Sequence, residues 1–184
     1  MVGKFLEVRG TTGPDTITVS PSGSNVRVVI NGSAKNFPAS GISRIDVFGD
    51  DGNDTITVSS LTLPTILSGG EGADYLLGGG GTDRMFGGDG DDVMVGGSSN
   101  DYMFGEGGKD SLYGGKGNDR LEGGGGNDWL DGQSGNDTLF GQAGNDTLYA
   151  KDSAADQLSG DSGFDYAYRD SSLDSLNSIE QVLG

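Results

Sequence analysis

Residues 69 to 149 are nine consecutive nonapeptides with no insertion or deletion: GGEGADYLL, GGGGTDRMF, GGDGDDVMV, GGSSNDYMF, GEGGKDSLY, GGKGNDRLE, GGGGNDWLD, GQSGNDTLF and GQAGNDTLY. A strict short period confines a chain to a solenoid. Position 1 is Gly in all nine units and position 4 is Gly in eight, with Ser99 the exception. Position 6 is always Asp: Asp74, Asp83, Asp92, Asp101, Asp110, Asp119, Asp128, Asp137 and Asp146. Position 8 is always Leu or Met, from Leu76 through Met85, Met94 and Met103 to Leu148.

Each unit divides into a turn and a strand. The six residues GGxGxD carry glycine where a chain needs positive φ or close backbone approach. The three residues x-U-x put one aliphatic on one face and its two neighbours on the other. A single inward aliphatic per unit fills only a thin core between two sheets, so two units make one coil of 18 residues. The expected fold is all-β, a parallel β-roll (a two-sheet β-solenoid) with an N-terminal β cap and a short C-terminal cap. One edge then stacks Asp74, Asp92, Asp110, Asp128 and Asp146, and the other stacks Asp83, Asp101, Asp119 and Asp137.

Coils in a sheet sit about 4.8 Å apart, and carboxylates stacked at that distance repel. Lys and Arg do not recur in register to neutralise them. A hard divalent cation held by carboxylates and turn carbonyls would, and calcium suits loose geometry with many oxygens better than magnesium does. The chain has no His and no Cys, which disfavours zinc and copper. These units resemble the RTX (repeat-in-toxin) calcium-binding nonapeptide GGxGxDxUx. The resemblance covers all nine units and implies a parallel β-roll holding Ca²⁺ between stacked turns. The nine Asp would be carboxylate ligands. The position-1 glycines Gly69, Gly78, Gly87, Gly96, Gly105, Gly114, Gly123, Gly132 and Gly141 would contribute backbone carbonyls. Adjacent pairs along the two edges give about seven regular sites. Ser99, Glu106, Gln133 and Gln142 depart from the pattern, at the cost of strain if their positions need positive φ.

The chain of 184 residues contains 37 Gly and is only 32% hydrophobic. So thin an apolar core offsets little of the entropy lost on ordering the backbone. The repeat region is therefore expected to be largely unfolded without calcium, because ion binding that exists only in the folded state becomes folding energy. The net charge of −17 argues against nucleic acid as a partner. No apolar run reaches the length of a membrane helix, so membrane insertion is not expected. The start, MVGKFLEVRG, lacks a signal-peptide apolar region. This fits a piece of a larger protein or an uncleaved C-terminal signal. Weak calcium sites fill at about millimolar calcium, so the expected location is extracellular or at the cell surface.

The flanks carry weaker copies. GTTGPDTIT at 10–18 and GDDGNDTIT at 49–57 place Asp15 and Asp54 at position 6. Residues 1–66 read as a β-rich solenoid start, with strands over Phe5–Val8, Thr16–Val19, Val26–Ile30, Ile45–Phe48 and Thr55–Val58. Asp54 lies 20 residues before Asp74, two out of register, which makes a regular site there doubtful. The roll spans 67–168, degenerate over 150–168, where Asp156 and Asp165 are further candidate ligands, as is Asp54. Residues 169–184 form a C-terminal cap. Leu173, Leu176, Ile179 and Val182 allow a helix, and Ser178–Leu183 allows a short strand. The resemblance favours the strand.

Three function classes follow. The first is a calcium-binding structural module serving secretion, stability or spacing of attached domains. The second is catalysis, which is not expected: without His there is no Ser-His-Asp scheme, and the regular Asp already have a role. The third is adhesion or self-assembly through outward side chains. These are Tyr75, Leu77, Val93, Val95, Tyr113, Trp129 and Tyr149 on one sheet, and Phe86, Tyr102, Phe104 and Phe140 with Arg84, Arg120 and Glu122 on the other. Simple β-propensity accounts for aromatics at such positions equally well. Ice-binding relatives of this pattern carry Thr at position 3, where no Thr occurs here.

Overall fold

The computed structural model of the chain describes residues 4–170 and 173–183. Residues 1–3, 171–172 and 184, which belong to the two expected caps, lie outside the described residues. The described residues form strands and turns with no helix. In order these are β1 (Lys4–Arg9), β2 (Thr16–Ser22), β3 (Asn25–Ile30), β4 (Ser33–Pro38), β5 (Ile42–Asp51), β6 (Thr55–Val58), β7 (Thr65–Glu71), β8 (Tyr75–Leu77), β9 (Asp83–Asp89) and β10 (Val93–Ser98). They continue with β11 (Tyr102–Gly107), β12 (Ser111–Lys116), β13 (Arg120–Gly125), β14 (Trp129–Ser134), β15 (Thr138–Ala143), β16 (Thr147–Ala150), β17 (Gln157–Ser162), β18 (Tyr166–Arg169), β19 (Ser175–Asn177) and β20 (Gln181–Leu183).

Successive nonapeptides alternate between two sheets, as the thin-core argument requires. One sheet has nine strands in the order β1-β5-β7-β9-β11-β13-β15-β17-β19. The other has eleven, β20-β18-β16-β14-β12-β10-β8-β6-β2-β3-β4. Within the regular repeats the pairing is parallel and advances 18 residues per coil, for example Met94 against Leu112 and Met103 against Leu121, and the degenerate coils after them advance 19. All nine position-8 side chains are fully buried between the sheets.

Two features differ from the sequence reading. The strands run six residues rather than three, continuing through positions 1–3, as in β11 and β13, because Glu106 and Gly107 also pair with Gly124 and Gly125. Only positions 4–6 remain as the turn. The second feature is β4, which the sequence did not signal. Its residues SAKNFP are almost wholly exposed and end in proline. With β2 and β3 it makes an antiparallel meander on the end of the eleven-stranded sheet.

Positions 2 and 4 adopt positive φ in every unit except at Gly79 and Gly81, which lie over the irregular segment 59–64. Glu106 (75°), Gln133 (68°) and Gln142 (74°) adopt it at position 2, and Ser99 (80°) adopts it at position 4, where other units use glycine. At the C-terminal end β19 and β20 are short strands, so the helical alternative is not realised. Ala167 takes the last fully buried place in its column, and Val182, next in register, is 44% exposed.

Candidate metal centre

The position-6 aspartates do not project into water. Each is buried in its turn, because the following strand turns the side chain back under its own position-1 glycine. One carboxylate oxygen, Oδ1, accepts the backbone N–H of the Asp one coil earlier. On the first edge Asp15, Asp54, Asp74, Asp92, Asp110, Asp128 and Asp146 each donate to the next member, ending at Asp165, at 2.7–2.9 Å. On the second edge the chain runs Thr65, Asp83, Asp101, Asp119, Asp137, Asp156 at 2.7–3.0 Å. A second ladder lies outside it. The Oδ1 of Asn100, Asn118, Asn127, Asn136 and Asn145 at position 5 each accepts the N–H of the same position in the next coil, at 2.7–3.0 Å. That explains the Asn-Asp dipeptide without invoking ice.

The other oxygen is the unusual one. Oδ2 of Asp54, Asp74, Asp92, Asp101, Asp110, Asp119, Asp128, Asp146 and Asp165 is sealed from solvent and has no hydrogen-bond partner. A buried carboxylate oxygen without a partner is costly. Eight of them share the space beside their own position-1 glycine with a backbone carbonyl, that of a glycine for seven and of Ser178 for Asp165. A Cβ built on Gly87 would lie 2.3 Å from Asp92 Oδ2 and 2.7 Å from the carbonyl oxygen of Gly105. Equivalent contacts bring the carbonyls of Gly69, Gly87, Gly96, Gly105, Gly114, Gly123, Gly132 and Gly141 to such gaps. Gly78, first on its edge, instead begins a turn that rests on the irregular segment 59–64.

Burial is the main influence on these groups. It pushes Asp101 up to about 8, Asp92 and Asp137 to about 7, and Asp110, Asp119, Asp128, Asp146 and Asp156 to about 6, against the lowering effect of the ladder hydrogen bonds. Repulsion between stacked carboxylates adds to it at Asp92, Asp101 and Asp137. A cation in the gap would remove both penalties. Among the described residues no three acidic side chains converge on one point, so an ion here must take backbone oxygens as well as carboxylates. All-oxygen donors with one or two carboxylates per gap fit a hard cation of calcium's type.

The ladder's ends differ from its middle. Asp83 has both oxygens occupied: Oδ1 accepts the N–H and hydroxyl of Thr65, and Oδ2 accepts the N–H of Gly79 at 2.8 Å. Asp15 is likewise satisfied, by Thr11 and Asn31. Burial raises its pKa, but these hydrogen bonds outweigh that and leave it below the ordinary value. Asp54 sits in the ladder despite its 20-residue offset, because the two extra residues are absorbed at the opposite edge and Thr55 pairs with Tyr75 in register. Two members were missed in the sequence. Asp174 Oδ1 accepts the N–H of Asp156 at 3.0 Å, and Glu180 Oε2 accepts that of Asp165 at 2.8 Å. Their signal was an acid two residues before an aliphatic, DSL and EQV, without the preceding glycines.

The RTX calcium-binding nonapeptide repeat matches the chain in four copies, over residues 46–59, 65–94, 86–121 and 122–154, together more than half its length. The chain belongs to the RTX calcium-binding nonapeptide-repeat family. A search of curated proteins finds no match. RTX membership names calcium as the family's ion, and the nine sealed Oδ2 atoms are oxygens without a partner, the ligand type a hard cation takes.

Proposed function

We propose that this RTX roll is a structural module whose coils are joined by calcium, and that it folds on meeting calcium outside the cell. The ligands in this reading are Oδ2 of Asp54, Asp74, Asp92, Asp101, Asp110, Asp119, Asp128, Asp146 and Asp165. Asp137 and Asp156 join them by register, and the position-1 carbonyls complete the set. Asp83 contributes least, since its oxygens already have donors. Bound calcium supplies positive charge between stacked carboxylates. The chain's own residues hold the gap open and keep water out of it. The role is support: stability, spacing or secretion of attached domains, with residues 1–66 starting the solenoid and 169–184 closing it.

The observation that carries this reading is the row of nine buried carboxylate oxygens without a protein partner. The test is circular dichroism of the chain in chelator and in millimolar calcium, with calorimetric counting of bound ions. A strand signal that appears cooperatively with several ions per chain is the expected result. Full strand content in chelator, or at most one ion bound, would refute it.

A further inference from the structure

The two outer faces of the roll differ in charge. From β2 to β20 the eleven-stranded sheet turns positions 7 and 9 outward along nine parallel strands. Of these eighteen, only Asp131 is charged, and the other charged residues of these strands are the cations Lys116 and Arg169. The matching eighteen positions from β1 to β19 include six charged residues: Glu7, Arg9, Asp46, Arg84, Arg120 and Glu122. On a chain of net charge −17 the first face is the broad surface where two copies can meet without opposing carboxylates.

Its aromatic side chains indicate what fits there. Trp129 stacks on Tyr149 with centroids 6.2 Å apart and planes at 20°, and Tyr149 meets Tyr168 at 5.8 Å. Rings stacked along the sheet turn their faces to one another and their edges to solvent. Such a row of side chains suits a second sheet, because side chains of two packed sheets interdigitate. Tyr75 and Trp129 nonetheless remain more than a third exposed.

We propose that this face is the contact of a symmetric dimer, with the eleven-stranded sheets of two copies packed face to face. The same patch on both copies closes the assembly at two and does not propagate a fibre. Nine strands about 4.8 Å apart and two columns about 7 Å from one another make a long, narrow footprint, below the area of standard specific interfaces. The dimer is therefore weak and concentration-dependent. It rests on the reading that the calcium-loaded roll is the folded species.

The test is sedimentation equilibrium of the full chain in millimolar calcium, from micromolar to near-millimolar protein, with circular dichroism and ion counting on the same samples. A reversible monomer–dimer equilibrium is expected. Trp129→Asp should weaken it at least tenfold, Asp131→Asn should tighten it, and Phe104→Asp on the opposite sheet should leave it unchanged, all with the strand signal and ion count retained. A folded, ion-loaded chain that stays monomeric throughout overturns the dimer and leaves the calcium reading standing. So does an association weakened by Phe104→Asp and not by Trp129→Asp. A chain that fails to fold in calcium refutes the calcium reading itself. Asp131→Asn keeps the acceptor for the Gln133 N–H and so separates interface from stability if Trp129→Asp does not fold.

Discussion

Gly105→Ala probes a single gap between coils. Gly105 is at position 1, outside the positive-φ region, so alanine meets no backbone strain there. Its Cβ would lie 2.3 Å from Asp110 Oδ2 and 2.3 Å from the carbonyl oxygen of Gly123. Restoring ordinary contact requires a shift of about 1 Å against two paired coils, an overpacking cost of about 1–3 kcal/mol. The same methyl group fills the space an ion would use. A site saturated to a hundred times its Kd contributes about 2.7 kcal/mol, which is lost with the ion. The expected destabilisation in saturating calcium is therefore about 4–6 kcal/mol, with at least one ion fewer per chain. Gly125→Ala is the control: its Cβ would come no nearer than 3.8 Å to the carbonyl oxygen of Glu106, and the residue is exposed. Its effect should stay within about 0.5 kcal/mol. Denaturant unfolding followed by circular dichroism, with calorimetric ion counting, measures both. If Gly105→Ala kept the full ion count and unfolded at the midpoint of Gly125→Ala, the assignment of the gap to an ion would be wrong.

Further predictions concern backbone, proton and end effects. Glu106 holds φ of 75° without a side-chain hydrogen bond that rewards it, so Glu106→Gly should raise stability in calcium by about 0.5–1 kcal/mol, read as a higher Tm. Burial pushes Asp92, Asp101, Asp110 and Asp137 up to about 6 to 8 in the fold, against the ordinary carboxylate value when unfolded, so the fold binds protons more tightly. In chelator this contribution is fully present below about 4 and is lost as pH rises through 6 to 8. Strand signal in chelator should thus be greater at pH 5 than at pH 8. Calcium affinity should move the opposite way, falling with pH, and binding at neutral pH should release protons. Glu180→Ala removes the acceptor of the Asp165 N–H and should cost about 1–3 kcal/mol locally, seen as faster proteolysis within the last coil while the central coils stay protected.

The coil, the core column and the nine aspartates were legible because each repeats with a fixed period and is set within one unit. Leu112 is buried for the same reason as Leu130, and one explains the other. Contacts between units were less legible. The Oδ1 ladder joins residues 18 apart through backbone N–H groups, which leave no mark on residue choice beyond the Asp itself. Asp174 and Glu180 serve as its last members among the described residues without glycine turns before them. β4 escaped because an edge strand exposed on both faces has no hydrophobic alternation to read.

Asp83 separates the proposed site between units from the repeat motif itself. Its nonapeptide, GGGGTDRMF, carries every signature residue. Yet the segment beneath it, SSLTLP, is no nonapeptide turn. Gly80 donates its N–H to the Leu61 carbonyl, and the Gly79 N–H is left to turn inward to Asp83 Oδ2. One coil later Asp101 sits over a nonapeptide turn, that of Asp83, and its Oδ2 has no partner. Asn in place of Asp keeps the Oδ1 acceptor and replaces Oδ2 by a donor. At position 83 that loses one hydrogen bond, worth about 1 kcal/mol, and places two donors face to face, with no change in ion count. At position 101 it points an NH₂ group at the gap shared with the Gly114 carbonyl, and one ion should be lost along with cooperativity. Equal ion counts for Asp83→Asn and Asp101→Asn would mean that the repeat motif alone sets the site, and that the neighbouring turn contributes nothing.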